Sequence, residues 1–271
     1  MDLAIGIDVG FSLSRKTTGV VILNRKTGML PQETQLVVET AEKSVAYVNS
    51  EIRRLKPKSA VFCLDGPFAS GDNGGDSRHV ERYFTCGPFA SSGAASLHMR
   101  IGPAPTAGDN HFLQVTAEII NALSIEDPQH RQKMNIVNAA HGQPVLNGNI
   151  IEIFPTLFMA ALFPPHPYVG TRNAHTDILW HELGGHQHLI PYNELRAAVE
   201  EEEGVSRRHD LRAAATSAIA ADWYAGGHID FIGHPGELGF VLPGEDKMNA
   251  AFRAMLVAHW EARGGPPLLW L

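Results

Sequence analysis

Cysteine is scarce in this chain: Cys63 and Cys86 are the only two among 271 residues. Two isolated thiols build neither a zinc cluster nor a disulfide framework, so a reducing compartment, the cytoplasm, is expected. Long hydrophobic runs are missing as well. No apolar stretch approaches the ~20 residues of a membrane span, and no membrane partner is expected. The opening MDLAIGID has no basic residues ahead of its apolar segment and does not read as a secretory leader. Positive charge is in deficit. Lys and Arg number 22 against 29 Asp and Glu, for a net charge of −7, which disfavours a protein that coats nucleic acid indiscriminately while leaving room for a local basic groove. What is plentiful is core material, with 44% hydrophobic and 19% charged residues. The length suits one large domain or two small ones.

The chain is organised around LAIGIDVGFSLSRKTTGVVIL, from Leu3 to Leu23. It reads as a strand, a polar turn and a returning strand rich in Thr, Val and Ile. Period-two alternation puts Leu3, Ile5 and Ile7 on one face and Ala4, Gly6 and Asp8 on the other, so the neighbours of Asp8 are small. A carboxylate in an apolar strand is costly unless it is paired or binds a metal. Further along, 34–40 is expected as a third strand. Residues 41–55 carry Val45, Val48, Ile52 and Leu55 at helical spacing. Residues 58–68 read as a buried strand with Asp65 at its C-terminal end, where Gly66 and Pro67 turn the chain.

Residues 69–110 form a loop-like insertion holding Arg78, Arg82 and Arg100. These read as contacts for an anionic substrate or as residues that keep a mobile loop soluble. A helix is expected over 111–123 and a short strand over 149–154, in which Ile150, Glu152 and Phe154 share a face. A short helix is expected over 156–163 and a second insertion over 164–191. Within that insertion, His181, Glu182 and His186 spell HELGGH. The metalloprotease motif needs its histidines four apart on one helix face; here they are five apart with two glycines between, so surface histidines are the expectation, with a metal held from a loop by His186 and His188 as the alternative. A polar helix over 191–203 ends at Gly204. Ser206 is the expected cap of a helix over 207–224, on which Asp210, Ala214, Ser217 and Ala221 share a small-residue face, with Asp210 in the first turn. A hairpin over 228–242 and a closing helix over 245–263 complete the chain.

Four carboxylates stand out: Asp8, Asp65, Glu152 and Asp210. Taken singly each could cap a turn or pair with a cation. Taken together they suit paired hard cations, which carboxylates and waters hold and which can activate a water and stabilise a leaving oxygen.

The order of three strands, a helix, a fourth strand, a helix, a fifth strand and a late Asp-bearing helix resembles the ribonuclease H-like fold. GIDVG, LDGPFASG, the Arg78–Phe84 segment, IEIFP, HDLRAAATSAIAA and IGHPGELGFVLP, in that order, resemble the bacterial and archaeal family of predicted ribonuclease H-like nucleases (domain of unknown function 429). The resemblance runs from Leu3 to about Pro243, except that the 164–191 insertion has no counterpart and the family usually has another small residue where Gly66 stands. It implies one α/β domain over 1–271. That domain would hold a five-stranded mixed sheet with its first three strands antiparallel, flanked by helices, with insertions at about 69–110 and 164–191. It implies metal-dependent hydrolysis of DNA or RNA phosphodiesters, with Asp8, Asp65 and Asp210 as catalytic ligands of Mg²⁺ or Mn²⁺ and Glu152 as a fourth candidate. Lys16, in the first turn, is either a phosphate contact or a solvated residue. Oligomeric state is left open, a homodimer included.

Two other classes compete. Actin-like ATPases and sugar kinases share this core, and GIDVGFS with its Thr-rich turn resembles their first phosphate loop. They need two such domains, though, and this chain has no second copy of the motif. A non-catalytic nucleic-acid or protein-binding module of the same fold suits the net negative charge, but four clustered carboxylates destabilise a fold that binds no cation.

Overall fold

A computed structural model describes residues 1–10, 17–66, 68, 83, 110–123, 135–136, 149–165, 179–233 and 239–262. The architecture is α/β. Strand β1 (Asp2–Asp8) returns as β2 (Thr18–Asn24) and then β3 (Val37–Glu39), followed by helix α1 (Ala41–Leu55) and strand β4 (Ser59–Asp65). Helix α2 (Asn110–Leu123) precedes β5 (Asn135–Ile136), β6 (Asn149–Glu152) and the short α3 (Pro155–Ala160). Then come α4 (Asn193–Glu201), α5 (Val205–Ala225), the pair β7 (Ile229–Ile232) and β8 (Phe240–Pro243), and α6 (Ala250–Ala262).

Among the described residues six strands form the main sheet, in the order β3-β2-β1-β4-β6-β5. The first three run antiparallel to their neighbours, as expected, and β1, β4, β6 and β5 pair in parallel. Five of these strands answer the sequence expectation. The sixth, β5, is two residues long and sits at an edge, too short to leave a periodic signal. Strand β3 is also shorter than expected. Thr34, ahead of it, is buried and donates its hydroxyl to Glu51 at 2.7 Å instead of joining the ladder.

The sheet separates two apolar layers. Leu3, Ile5, Ile7, Val20, Ile22, Phe62 and Leu64 pack with Val45 and Val48 of α1 and Ile119 and Leu123 of α2. Ala4, Val21, Leu23, Val61 and Cys63 face the other way, toward Leu211, Ala214, Ala215 and Ala218 of α5. Helix α1 starts where Thr40 accepts from the Lys43 amide at 3.5 Å, and ends at Lys56 in the left-handed region.

Helix α5 is buried almost all round, from Asp210 through Ala221 without a break, as a helix in the interior of a large core must be. Its cap is Gly204, not Ser206, and Gly204 offers no side-chain bond. Asp210 therefore falls in the second turn rather than the first. Arg212, on the same helix, makes a bidentate pair with Glu200 of α4 at 2.9 and 2.8 Å, fixing the two helices against each other.

Part of the second expected insertion, 164–191, is core. Leu179, Trp180, Leu183 and Leu189 are buried in helical turns ahead of α4, and Arg196 lies over the Trp180 ring while donating to the Trp180 carbonyl at 3.0 Å. The β7–β8 hairpin is the one expected. It joins the sheet's end through a parallel bridge from Ile153 to Val241. No helix among the described residues is long and apolar enough to cross a membrane.

Strand β7 carries a buried acid, Asp230, 4% exposed, whose Oδ2 has no hydrogen-bond partner. Burial pushes its pKa up to about 7; the Arg253 charge opposes this, and Glu245 and Asp246 add to it. In an unfolded chain the same group titrates near 3.8. The folded state therefore holds a proton that the unfolded state has lost between those values, and stability falls as pH rises through that window. Asp230→Asn should leave stability nearly unchanged near pH 4 and raise it by a few kcal/mol at pH 8. Melting temperatures of the two proteins across pH 4–8 test this; parallel curves would sink it.

Candidate active site

In the parallel pairing of β1 with β4, Asp8 stands beside Asp65, as Gly6 stands beside Cys63 and Ala4 beside Val61. Residues paired across a parallel ladder point to the same side. Both carboxylates therefore leave the sheet on the face that α5 covers, at the C-terminal ends of their strands. Both are half-buried.

Asp210 reaches this face from above. Helix α5 crosses β1 and β2 at unusually close range because glycines lie beneath it. A Cβ at Gly6 would overlap the Ala214 carbonyl oxygen and the Ala218 amide nitrogen, and one at Gly19 would lie 2.6 Å from the Asp210 carbonyl oxygen. Gly19 is itself the cross-strand partner of Asp8. The Asp210 backbone is thus pressed onto the strand next to Asp8, and its side chain is 5% exposed. Its Oδ2 accepts a hydrogen bond from the Thr17 hydroxyl at 2.7 Å.

Glu152 does not share this face. Strand β6 pairs Ile151 with Cys63 and Glu152 with Leu64, so Glu152 departs on the side of α1 and α2. There its Oε2 accepts the Phe68 amide proton at 3.1 Å. The fourth candidate ligand thus holds main chain three residues beyond Asp65. Lys16, Arg78, Arg82 and Arg100, the expected phosphate contacts, lie outside the described residues.

Cys63, two residues before Asp65 on β4, is buried. Burial pushes its thiol well above the usual range, and the nearby Asp65 and Glu152 charges push it further. It is no thiolate nucleophile. The HELGGH segment forms no zinc motif: His181 and Glu182 are exposed and a 3₁₀ turn follows over Leu183–Gly185. His186 donates from Nε2 to the Leu162 carbonyl at 3.2 Å, meets Phe163 edge-on and lies tilted against His188. Burial lowers the pKa of both His186 and His188.

Asp8, Asp65 and Asp210 are all-oxygen donors on one face, the ligand chemistry of a hard divalent cation. As the side chains stand, no group of three or more His, Cys, Asp or Glu among the described residues is drawn together tightly enough to hold a metal. The residue that reading the sequence missed is Thr17. Its partner is 193 positions away, and a threonine in a Thr-rich turn carries no local mark of that role. No family model matches the sequence, and no curated protein is similar to it beyond chance.

Proposed function

We propose that this protein is a ribonuclease H-like, metal-dependent nuclease that hydrolyses phosphodiester bonds in DNA or RNA. The observation that carries the reading is the registered pair Asp8 and Asp65 at adjacent strand ends, with Asp210 brought onto the same face by α5. Three acids there would repel one another and any phosphate unless a cation joined them. Asp8, Asp65 and Asp210 would hold Mg²⁺ or Mn²⁺, which when bound supplies Lewis acidity and a water of lowered pKa. The chain's own part is to present the carboxylate oxygens on a paired strand end and a packed helix. No side chain is needed as nucleophile, consistent with the buried, protonated Cys63. Lys16, Arg78, Arg82 and Arg100 are the proposed contacts to the nucleic-acid backbone, and a reducing compartment such as the cytoplasm is the proposed setting.

A cleavage panel tests this. Full-length protein with Mg²⁺ or Mn²⁺ is offered single-stranded, duplex, hybrid and junction substrates, and ATP in parallel. Metal-dependent cleavage of at least one polynucleotide with no ATP turnover is expected. ATP hydrolysis with every nucleic acid ignored replaces the nuclease with the kinase-like reading. Neither activity, from folded protein, replaces it with the non-catalytic module.

A further inference from the structure

We infer that Arg207 binds a backbone phosphate of the polynucleotide, within about three nucleotides of the bond that is cut; the inference rests on the nuclease reading above and on no particular metal geometry. The sheet itself places the residue. Asp65 pairs with Asp8, Asp8 with Gly19, and Gly19 with Val38. These four make one row across β4, β1, β2 and β3. Arg207 ends the row, because its Nη1 donates to the Val38 carbonyl at 3.3 Å. Strands lie ~4.8 Å apart, so the guanidinium sits on the order of 10 Å from the Asp8 backbone. One strand of a duplex rises ~3.4 Å per nucleotide, and about three nucleotides bridge that gap. Arg207 also precedes Asp210 by three residues, so the two are neighbours on the surface of α5.

The side chain suits the task. Its Nε donates to Glu202 Oε2 at 2.7 Å, and together with the Val38 contact this holds the fork at two points. Neither contact uses Nη2, and the side chain is 37% exposed. A planar guanidinium held in this way meets phosphate oxygens with little further ordering. An ion pair this exposed does little for stability on its own. The chain's net charge of −7 opposes a polyanion, so a cation in the row of the acids has a use that one elsewhere lacks. Arg25 and Lys58 lie at the other end of the sheet, where their amides donate to the Asp2 and Met1 carbonyls.

The test measures binding of fluorescein-labelled oligonucleotides to the full chain in EDTA, which withholds the metal, across about 50–200 mM salt. Single-stranded, duplex and hybrid probes are offered, and the one that wild type binds most tightly is followed. Loss of one phosphate contact lowers the slope of log K against log salt by ~0.7 for a single strand and ~0.9 for B-DNA. R207Q should show that loss, with binding about tenfold weaker at the lowest salt and far-UV circular dichroism native. R207K keeps the charge and should keep the wild-type slope. K58Q makes the same charge change at the far end of the sheet and should keep it too. If R207Q has the wild-type slope, the inference falls and the proposed function stands. If R207K or K58Q lowers the slope as much as R207Q does, a local charge contact is not the cause and the inference falls. If wild type binds none of the probes, the inference falls, and the cleavage panel still decides the proposed function. Should R207Q fail to fold, R207M takes its place and retains the apolar stem.

Discussion

Asp210→Asn should abolish metal-dependent cleavage, with the single-turnover rate falling on the order of a thousandfold. The substitution removes one unit of negative charge from the face where Asp8 and Asp65 lie in register, and a neutral amide oxygen is a poor partner for a hard cation. Asp210 is 5% exposed and sits in the second helical turn, so a larger change would confound chemistry with packing. Asparagine is close to isosteric, and its side-chain oxygen can still accept from the Thr17 hydroxyl, which preserves the contact to the hairpin. The variant should therefore melt within a few degrees of wild type. A folded D210N protein that keeps more than about a tenth of the wild-type rate would falsify the assignment of Asp210 as a metal ligand. A variant that loses activity together with its native circular dichroism has lost the fold, and the rate must then be read from Asp210→Glu, which keeps the charge but displaces it by a methylene.

Gly6→Ala should produce a large loss of stability for a single methyl group. The added Cβ would collide with the Ala214 carbonyl and the Ala218 backbone. Neither is a flexible side-chain end that can step aside. The helix must lift from the sheet or the strand must bow. Ordinary overpacking costs about 1–3 kcal/mol, and a backbone-on-backbone clash belongs at or beyond the upper end. For a chain of this size that corresponds to a fall in Tm of roughly 5–10 °C. Gly185, whose surroundings are open, is the control: Gly185→Ala should shift Tm by no more than about 1 °C. Calorimetry on the three proteins decides it, and a Gly6→Ala protein that melts with wild type would mean that α5 does not sit this close to β1. The substitution should also weaken Mn²⁺ binding, since lifting α5 carries Asp210 away from Asp8.

The parts of this site that could be read from the sequence are those set by local rules. Alternation along Leu3–Asp8 gave the small face around Asp8, and the apolar run ending at Asp65 gave the second carboxylate its place at a strand end. The helix of 41–55 matches α1 residue for residue. Alternation also put Glu152 with Ile150, away from Ile151, yet it could not say which of the two faces looked toward Asp8. Parity within a strand is local; the phase between strands is set by register, and only the pairing of Ile151 with Cys63 turns Glu152 away. The start of α5 differs from the sequence expectation for a related reason. Ser206 is a good capping residue, but Gly204 turns the chain two positions earlier with a positive φ of 90°, and the glycine was read only as the end of the helix before. Thr17 and its bond to Asp210 were beyond reach because nothing near either residue signals the other.

Helix α5 also sets a schedule for folding. Its partners in the sheet are β1, β2 and β4, all from the first quarter of the chain, whereas α5 itself spans Val205–Ala225. At ribosomal rates of ~5–20 residues per second, β1 waits roughly 10–40 s before α5 has been synthesised. For that interval Ala4, Gly6, Val21 and Cys63 lack the cover of α5, and such long-range contacts also slow folding after release. Asp8 and Asp65 would be neighbours well before Asp210 arrives, so the last covalent third of the protein decides when three acids first share one face.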